Sequence, residues 1–194
     1  MSPTTRPRHA IVLGGGRSRR MGTDKLALPV AGTTVLQRTC TAALTWAEEV
    51  VVAGPARPWS DERVRFAGED PPFGGPVAGL AAALAALPDE PAEVLLLAGD
   101  LADPAAIVAR LAAADLGPDG VVLLADDGWP QLLAGRYRLQ ALRTALAAAP
   151  RLRDIGVHRV LGTLELARIP TEADILGDLD TPTQARAAGI DPDF

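Results

Sequence analysis

His9-Ala10-Ile11-Val12-Leu13-Gly14-Gly15-Gly16-Arg17-Ser18-Arg19-Arg20-Met21-Gly22-Thr23-Asp24-Lys25 runs from a short apolar stretch straight into a loop of glycines and arginines. An apolar run of that length, stopped by glycine, predicts a buried strand over His9 to Leu13. Three consecutive glycines let the backbone pass close to a ligand and aim successive N–H groups at a phosphate or a base edge. Arg17, Arg19, Arg20 and Lys25 add positive charge within reach of the same place, which suits a triphosphate. The loop is not a Walker A motif, because G-x-x-x-x-G-K-[ST] is absent. It is not a dinucleotide fingerprint either, because Arg19 takes the place of the third glycine in G-x-G-x-x-G. Read alone, the segment also fits an ordinary strand-to-helix turn with solvated arginines.

Working outward, short β-rich runs alternate with helical patterns to the end of the chain, which predicts an α/β fold with a mainly parallel central sheet. Further strands are expected at Glu49 to Ala53, Val64 to Phe66, Glu93 to Leu97, Gly120 to Leu124, Leu132 to Tyr137 and Leu164 to Ile169. Thr34 with Gln37 forms a capping box, after which Leu36, Cys40 and Leu44 line one helix face and place Cys40 in the core. Gly75-Pro76 opens a helix over Val77 to Leu87, Asp103-Pro104 caps one that runs to Ala114, and another spans Leu139 to Ala149. Thr181-Pro182 introduces a last helix over Gln184 to Ala188. Arg151 to Val160 carries no readable pattern. With 194 residues, 48% of them hydrophobic, the expectation is one domain over residues 1–194, with 1–8 as a flexible N-terminus.

Composition excludes several chemistries. A lone Cys40 and only two histidines, His9 and His158, argue against a disulfide framework or a zinc site. Ser2, Ser18 and Ser60 are the only serines, and none lies in a nucleophile elbow. The net charge is -5 and the arginines form no stripe, so no nucleic-acid surface is expected. No apolar run approaches the ~20 residues of a membrane span and no signal peptide is evident, so a cytoplasmic protein is expected. Of 19 basic residues only Lys25 is lysine, in a chain otherwise committed to arginine, which marks a place that needs a compact ammonium.

Two acidic positions stand out. Asp100 follows Val94-Leu95-Leu96-Leu97-Ala98-Gly99, at the carboxyl end of an expected central strand, where open α/β sheets bind ligands. Because Asp103 can cap the next helix, Asp100 is left for magnesium, which takes few carboxylates plus phosphate oxygens. Asp178 and Asp180 share a short loop before Thr181-Pro182, and Asp180 is the candidate for a second metal ligand, solvation or cap support being its alternatives. Trp129 is expected to pack on the sheet rather than stack on a heterocycle, His158 to lie at the surface, and Arg136, Arg138 and Arg153 to be candidates for an anionic second substrate.

The pattern Leu-x-Gly-Gly-x-Ser-x-Arg-Met-Gly-x-Asp-Lys, which ends here at Lys25, resembles the signature loop of the molybdenum cofactor guanylyltransferases and related nucleotidyltransferases. The resemblance continues through Leu28-Pro29, Glu69-Asp70, Gly74 to Gly79, Asp100, Pro130-Gln131-Leu132-Leu133 and Asp180-Thr181-Pro182. It implies a Rossmann-like three-layer nucleotidyltransferase that uses magnesium to join GMP from GTP to Mo-molybdopterin. In that scheme Leu13, Gly14 and Gly15 hold the guanine and ribose, Gly16 and Arg20 approach the phosphates, and Lys25 balances charge on leaving pyrophosphate. Asp70 contacts the nucleotide, Gly75 lets a helix come close to it, and Asp100 holds the metal. Transient contact with cofactor-synthesis or acceptor proteins is a further implication.

The chain departs from the family where Asp-x-Asp-Thr-Pro replaces the usual Asn-x-Asn-Thr-Pro, a feature more like cytidylyl-transferring relatives. It departs again where Pro104 follows Asp100 by four residues rather than two. A cytidylyltransferase with the same acceptor, a sugar-phosphate nucleotidyltransferase and a non-catalytic nucleotide-binding module therefore stand as alternatives.

Overall fold

In the computed structural model, β1 (Arg8–Leu13) sends alternate side chains to two different cores, Ala10 and Val12 to one and Ile11 to the other. That period of two is what a strand covered on both faces requires. The structure describes residues 6–15, 24–30, 32–172 and 175. After a 3-10 turn at Lys25–Ala27, a small antiparallel hairpin, β2 (Pro29–Val30) and β3 (Thr33–Thr34), turns at Gly32 with φ +83°. The chain then enters α1 (Val35–Ala43), whose capping box is present as the sequence predicts. Thr34 Oγ1 accepts from the Gln37 N–H at 3.2 Å, and Gln37 Oε1 accepts from the Thr34 N–H at 2.8 Å.

There follow β4 (Glu49–Ala53), β5 (Val64–Ala67), α2 (Pro76–Ala85), β6 (Glu93–Ala98), α3 (Pro104–Ala113), β7 (Gly120–Leu124), β8 (Pro130–Arg138), α4 (Leu139–Ala148), α5 (Val157–Leu161) and β9 (Leu166–Pro170). The seven-stranded sheet runs β5-β4-β1-β6-β8-β7-β9. Its pairings are parallel except at β8, which is antiparallel to both β6 and β7. Residues of α1 and α3 form one core, while α2, α4 and α5 contribute to the other. Cys40 is fully buried on the α1 face.

Expected and observed strands agree within two residues at each end. The sequence reading did not anticipate the β2–β3 hairpin, two residues per strand being too short to show a period, or α5. Within Arg151 to Val160, Asp154 has φ +53° and donates its N–H to the Gly74 carbonyl at 2.8 Å, so a long-range bond helps set this segment. The expected helix over Gln184 to Ala188 lies outside the described residues.

Candidate functional site

From β1 the chain steps to β4 and β5 on one side, then returns to place β6 on the other side of β1. Such a reversal opens a crevice at the carboxyl ends of the two central strands. Glycines bring the backbones together there. Gly14 donates its N–H to the Ala53 carbonyl at 3.0 Å, Gly99 to Leu13 at 3.1 Å and Gly54 to Ala67 at 3.0 Å. A Cβ on Gly14 would meet Val52 Cγ1 at 2.6 Å, one on Gly99 the Leu13 carbonyl oxygen at 2.8 Å, and one on Gly54 the Gly14 backbone at 2.9 Å. Gly14 is thus buried for packing, and the chain first opens to solvent at Gly15. The Gly54 and Gly99 contributions lack a motif and escape the sequence reading.

Lys25 and Asp100 meet in this crevice as an ion pair, their side chains 22% and 16% exposed. The meeting is built from both sides. Asp24 caps the 3-10 turn by accepting from the Leu26 N–H at 3.2 Å, and its other oxygen accepts from Arg57 at 2.6 Å. Buried Leu26 sits where a Cβ on Gly99 would come within 3.2 Å, which seats the lysine turn against the aspartate turn. On the other side, α1 holds the turn after β6: the Thr39 hydroxyl donates to the Gly99 carbonyl at 3.3 Å and Arg38 to the Ala102 carbonyl at 3.0 Å. Asp103 caps α3 through the Ala106 N–H at 3.0 Å, so Asp100 is not the cap. Arg38, Thr39 and Arg57 are positioning residues without a motif; the one sequence signal is Thr39, a polar residue three positions from Leu36 on the apolar face.

The remaining expected residues lie on other loops and strands. Asp70 is exposed in the loop after β5, where its neighbour Glu69 accepts the Gly74 N–H at 2.9 Å and lies 3.6 Å from Arg153. Gly75 has φ +94° at the start of α2, a conformation that favours glycine. Arg136 and Arg138 lie away from Asp100. They sit where β8 pairs with the first residues of β6, at the opposite edge of the sheet from Asp100, and donate to the carbonyls of Ala114 at 2.6 Å and Pro118 at 2.7 Å. Burial also pushes the Arg136 guanidinium below its ordinary value. Arg153 is committed to the carbonyls of Pro71 and Pro72.

Trp129, expected to pack on the sheet, is instead 59% exposed because it occupies the β7–β8 turn. His158 is exposed, as expected. Gly16, Arg17, Arg19, Arg20, Asp178 and Asp180 lie outside the described residues. Among the described residues no group of three or more His, Cys, Asp or Glu is placed to hold a metal ion, and no helix is long and apolar enough to cross a membrane. One carboxylate at the mouth of the crevice still fits a hard divalent cation that takes its remaining oxygens from phosphate and water. Asp100 is such a donor, and it already holds a cationic group.

Comparison with known proteins matches this architecture. Residues 10–166 fit the family model of the MobA-like NTP transferase domain. The molybdenum cofactor guanylyltransferase of Rhizobium johnstonii is 31% identical over 188 residues, covering 89% of this chain and 87% of the relative. Among solved structures, molybdopterin-guanine dinucleotide biosynthesis protein A from Archaeoglobus fulgidus superposes with a TM-score of 0.63 at 18% identity, over 94% of this chain and 96% of that one. A Mycobacterium tuberculosis H37Rv protein solved in complex with manganese gives 0.64 at 21% identity, over 96% and 99%. The fold, the glycine-lined crevice and the relatives agree, and the chain belongs to the family of MobA-like NTP transferase domains.

Proposed function

We propose that the protein transfers GMP from GTP to the phosphate group of Mo-molybdopterin, releasing pyrophosphate and forming the molybdopterin guanine dinucleotide cofactor. The observation that carries this reading is the Lys25–Asp100 pair at the junction of β1 and β6, in a chain whose relatives bear the guanylyltransferase name. An acceptor phosphate oxygen attacks the α-phosphorus of GTP, the bond to the β-phosphate bridging oxygen breaks, and pyrophosphate leaves with that electron pair. The attacking oxygen is already anionic, so no side-chain base is required, and catalysis rests on positioning and charge neutralisation.

In this scheme the turn of Leu13, Gly14 and Gly15, which opens to solvent at Gly15, receives guanine and ribose, with Gly16 and Arg20 toward the phosphates. Lys25 stabilises the charge that develops on leaving pyrophosphate. Asp70 meets the nucleotide from the loop after β5, and Gly75 lets α2 approach it. Asp100, with Asp180 as a second ligand, would hold magnesium, which neutralises triphosphate charge when bound. The manganese in the Mycobacterium tuberculosis neighbour is consistent with a divalent site in this fold.

The test is pyrophosphate release from GTP with magnesium and Mo-molybdopterin, with CTP and sugar 1-phosphates as competing donor and acceptors. GTP-dependent release with the pterin acceptor is expected. Preference for CTP would move the protein to cytidylyl transfer and make Asp178-Leu179-Asp180 its marker. Nucleotide binding without release from any acceptor would leave a binding module only.

A further inference from the structure

We propose that Trp129, braced by His158, is the stacking wall for the planar pterin of the second substrate, an inference that rests on the guanylyl-transfer reading above. The sheet order β1-β6-β8-β7 places Asp100, at the end of β6, between the glycine loop after β1 and the turn joining β7 to β8. Because β6 and β7 both run antiparallel to β8, that turn projects from the same sheet edge as Asp100. Pairing of β8 with β6 begins at Ala134, so Pro130 to Leu133 run past the last β6 pair and carry Trp129 beyond the crevice floor.

The turn is fixed locally. Asp127 accepts the Trp129 N–H at 3.0 Å, the Trp129 carbonyl accepts the Ala125 N–H at 3.1 Å, and Gly128 supplies φ +82°. The indole meets the His158 ring edge-on at 5.8 Å and 87°, which braces it from α5 while leaving 59% of the residue open. An exposed indole held in place beside a polar crevice offers a π-face to a flat heterocycle. Gln131, whose side-chain amide donates to the Trp129 carbonyl at 3.4 Å, lies alongside with hydrogen-bonding groups of the kind a pterin edge needs. The heterocycle is assigned to the acceptor rather than to guanine, since Gly14 and Gly15, where the proposed nucleotide site opens, follow β1 on the other side of β6.

Steady-state kinetics with Mo-molybdopterin varied at saturating GTP, and the converse, test this. Trp129→Ala should raise the acceptor KM about 10-fold, the size of one lost aromatic stack. Its GTP KM should be unchanged, which also shows the variant is folded. Trp129→Phe should stay within about threefold of the parent, and His158→Ala should raise the acceptor KM about threefold by freeing the indole. An unchanged acceptor KM in Trp129→Ala overturns the proposal, and so does a rise in the GTP KM instead, which would put guanine on the ring. If the unaltered protein moves no GMP to the pterin, the guanylyl-transfer reading itself fails, and this proposal with it.

Discussion

The two halves of the sheet differ in strand direction and in how heavily arginine–carbonyl bonds tie their loops. In β5-β4-β1-β6 every pairing is parallel, the inner positions are apolar, and glycines let neighbouring backbones touch at the carboxyl edge. Beyond β6 the sheet reverses at β8, carries a register shift between Val122 and Leu123, and is tied down by arginines that donate to carbonyls. Arg136 reaches Ala114, Arg138 reaches Pro118, Arg143 reaches Leu87 and Pro88, and Arg153 reaches Pro72. The arginines that look scattered in the sequence are therefore staples between loops. The proposed chemistry sits at the edge of the first half, where geometry is set by close packing, and the proposed acceptor wall sits on the stapled half, where loops can vary without disturbing Lys25 and Asp100.

The sharpest way to break this division is to change the pair at the boundary. Asp100→Ala should lower turnover by about 10²–10³-fold, the scale of a lost electrostatic contact to the reacting phosphate, while thermal unfolding stays cooperative. Lys25→Arg should do nearly as much damage, because a planar guanidinium does not replace a compact ammonium beside a carboxylate. Turnover within threefold of the parent for either variant would remove that residue from the mechanism. Next in size is Gly14→Ala. Its methyl would lie 2.6 Å from Val52 Cγ1, so chemical denaturation should show a loss of about 1–3 kcal/mol from overpacking. On the stapled half, Arg136→Met should cost about 1–3 kcal/mol by removing the donor to the half-buried carbonyl of Ala114 and the cation 3.6 Å from Glu93. Unchanged stability in that variant would mean the arginine staples are ornamental.

The same contrast explains what could be read from the sequence. Strands of the first half announce themselves because a strand buried on both faces is a continuous apolar run, as in Val94 to Leu97. The Thr34 and Asp103 caps were legible because a cap is a local bond over three residues. The Lys25–Asp100 pair was legible only as two separate suspicions; their contact depends on Leu26 seating against Gly99, which no local pattern encodes. Trp129 escapes the sheet because it lies in the β7–β8 turn, and the place of Arg136 follows from strand direction. Which edge of the sheet a residue occupies depends on strand direction, and β8 runs against its neighbours. Arg151 to Val160 stayed dark because a distant residue, Gly74, supplies a bond that helps fix its backbone.

The last prediction uses one buried titratable group from each half. Burial pushes the Cys40 thiol, on α1, from its ordinary 9.0 up to about 12, and burial likewise raises the Tyr137 phenol, on β8, above its ordinary 10.0. Below pH 9 both groups are protonated in the folded and unfolded chains, so neither makes stability depend on pH. Above it the unfolded thiol loses its proton while the native one keeps it, so the unfolded state binds fewer protons and stability falls as pH rises. Each group contributes up to about 1.4 kcal/mol per pH unit, the thiol from pH 9 toward 12 and the phenol from pH 10 upward. Unfolding free energies measured from pH 8 to 11 should therefore fall, with the first part of the slope lost in Cys40→Ala and the later part reduced in Tyr137→Phe. A slope between pH 9 and 10 that is unchanged in Cys40→Ala would show that Cys40 does not supply it, and the α1 core would then not hold the thiol protonated beyond its ordinary range.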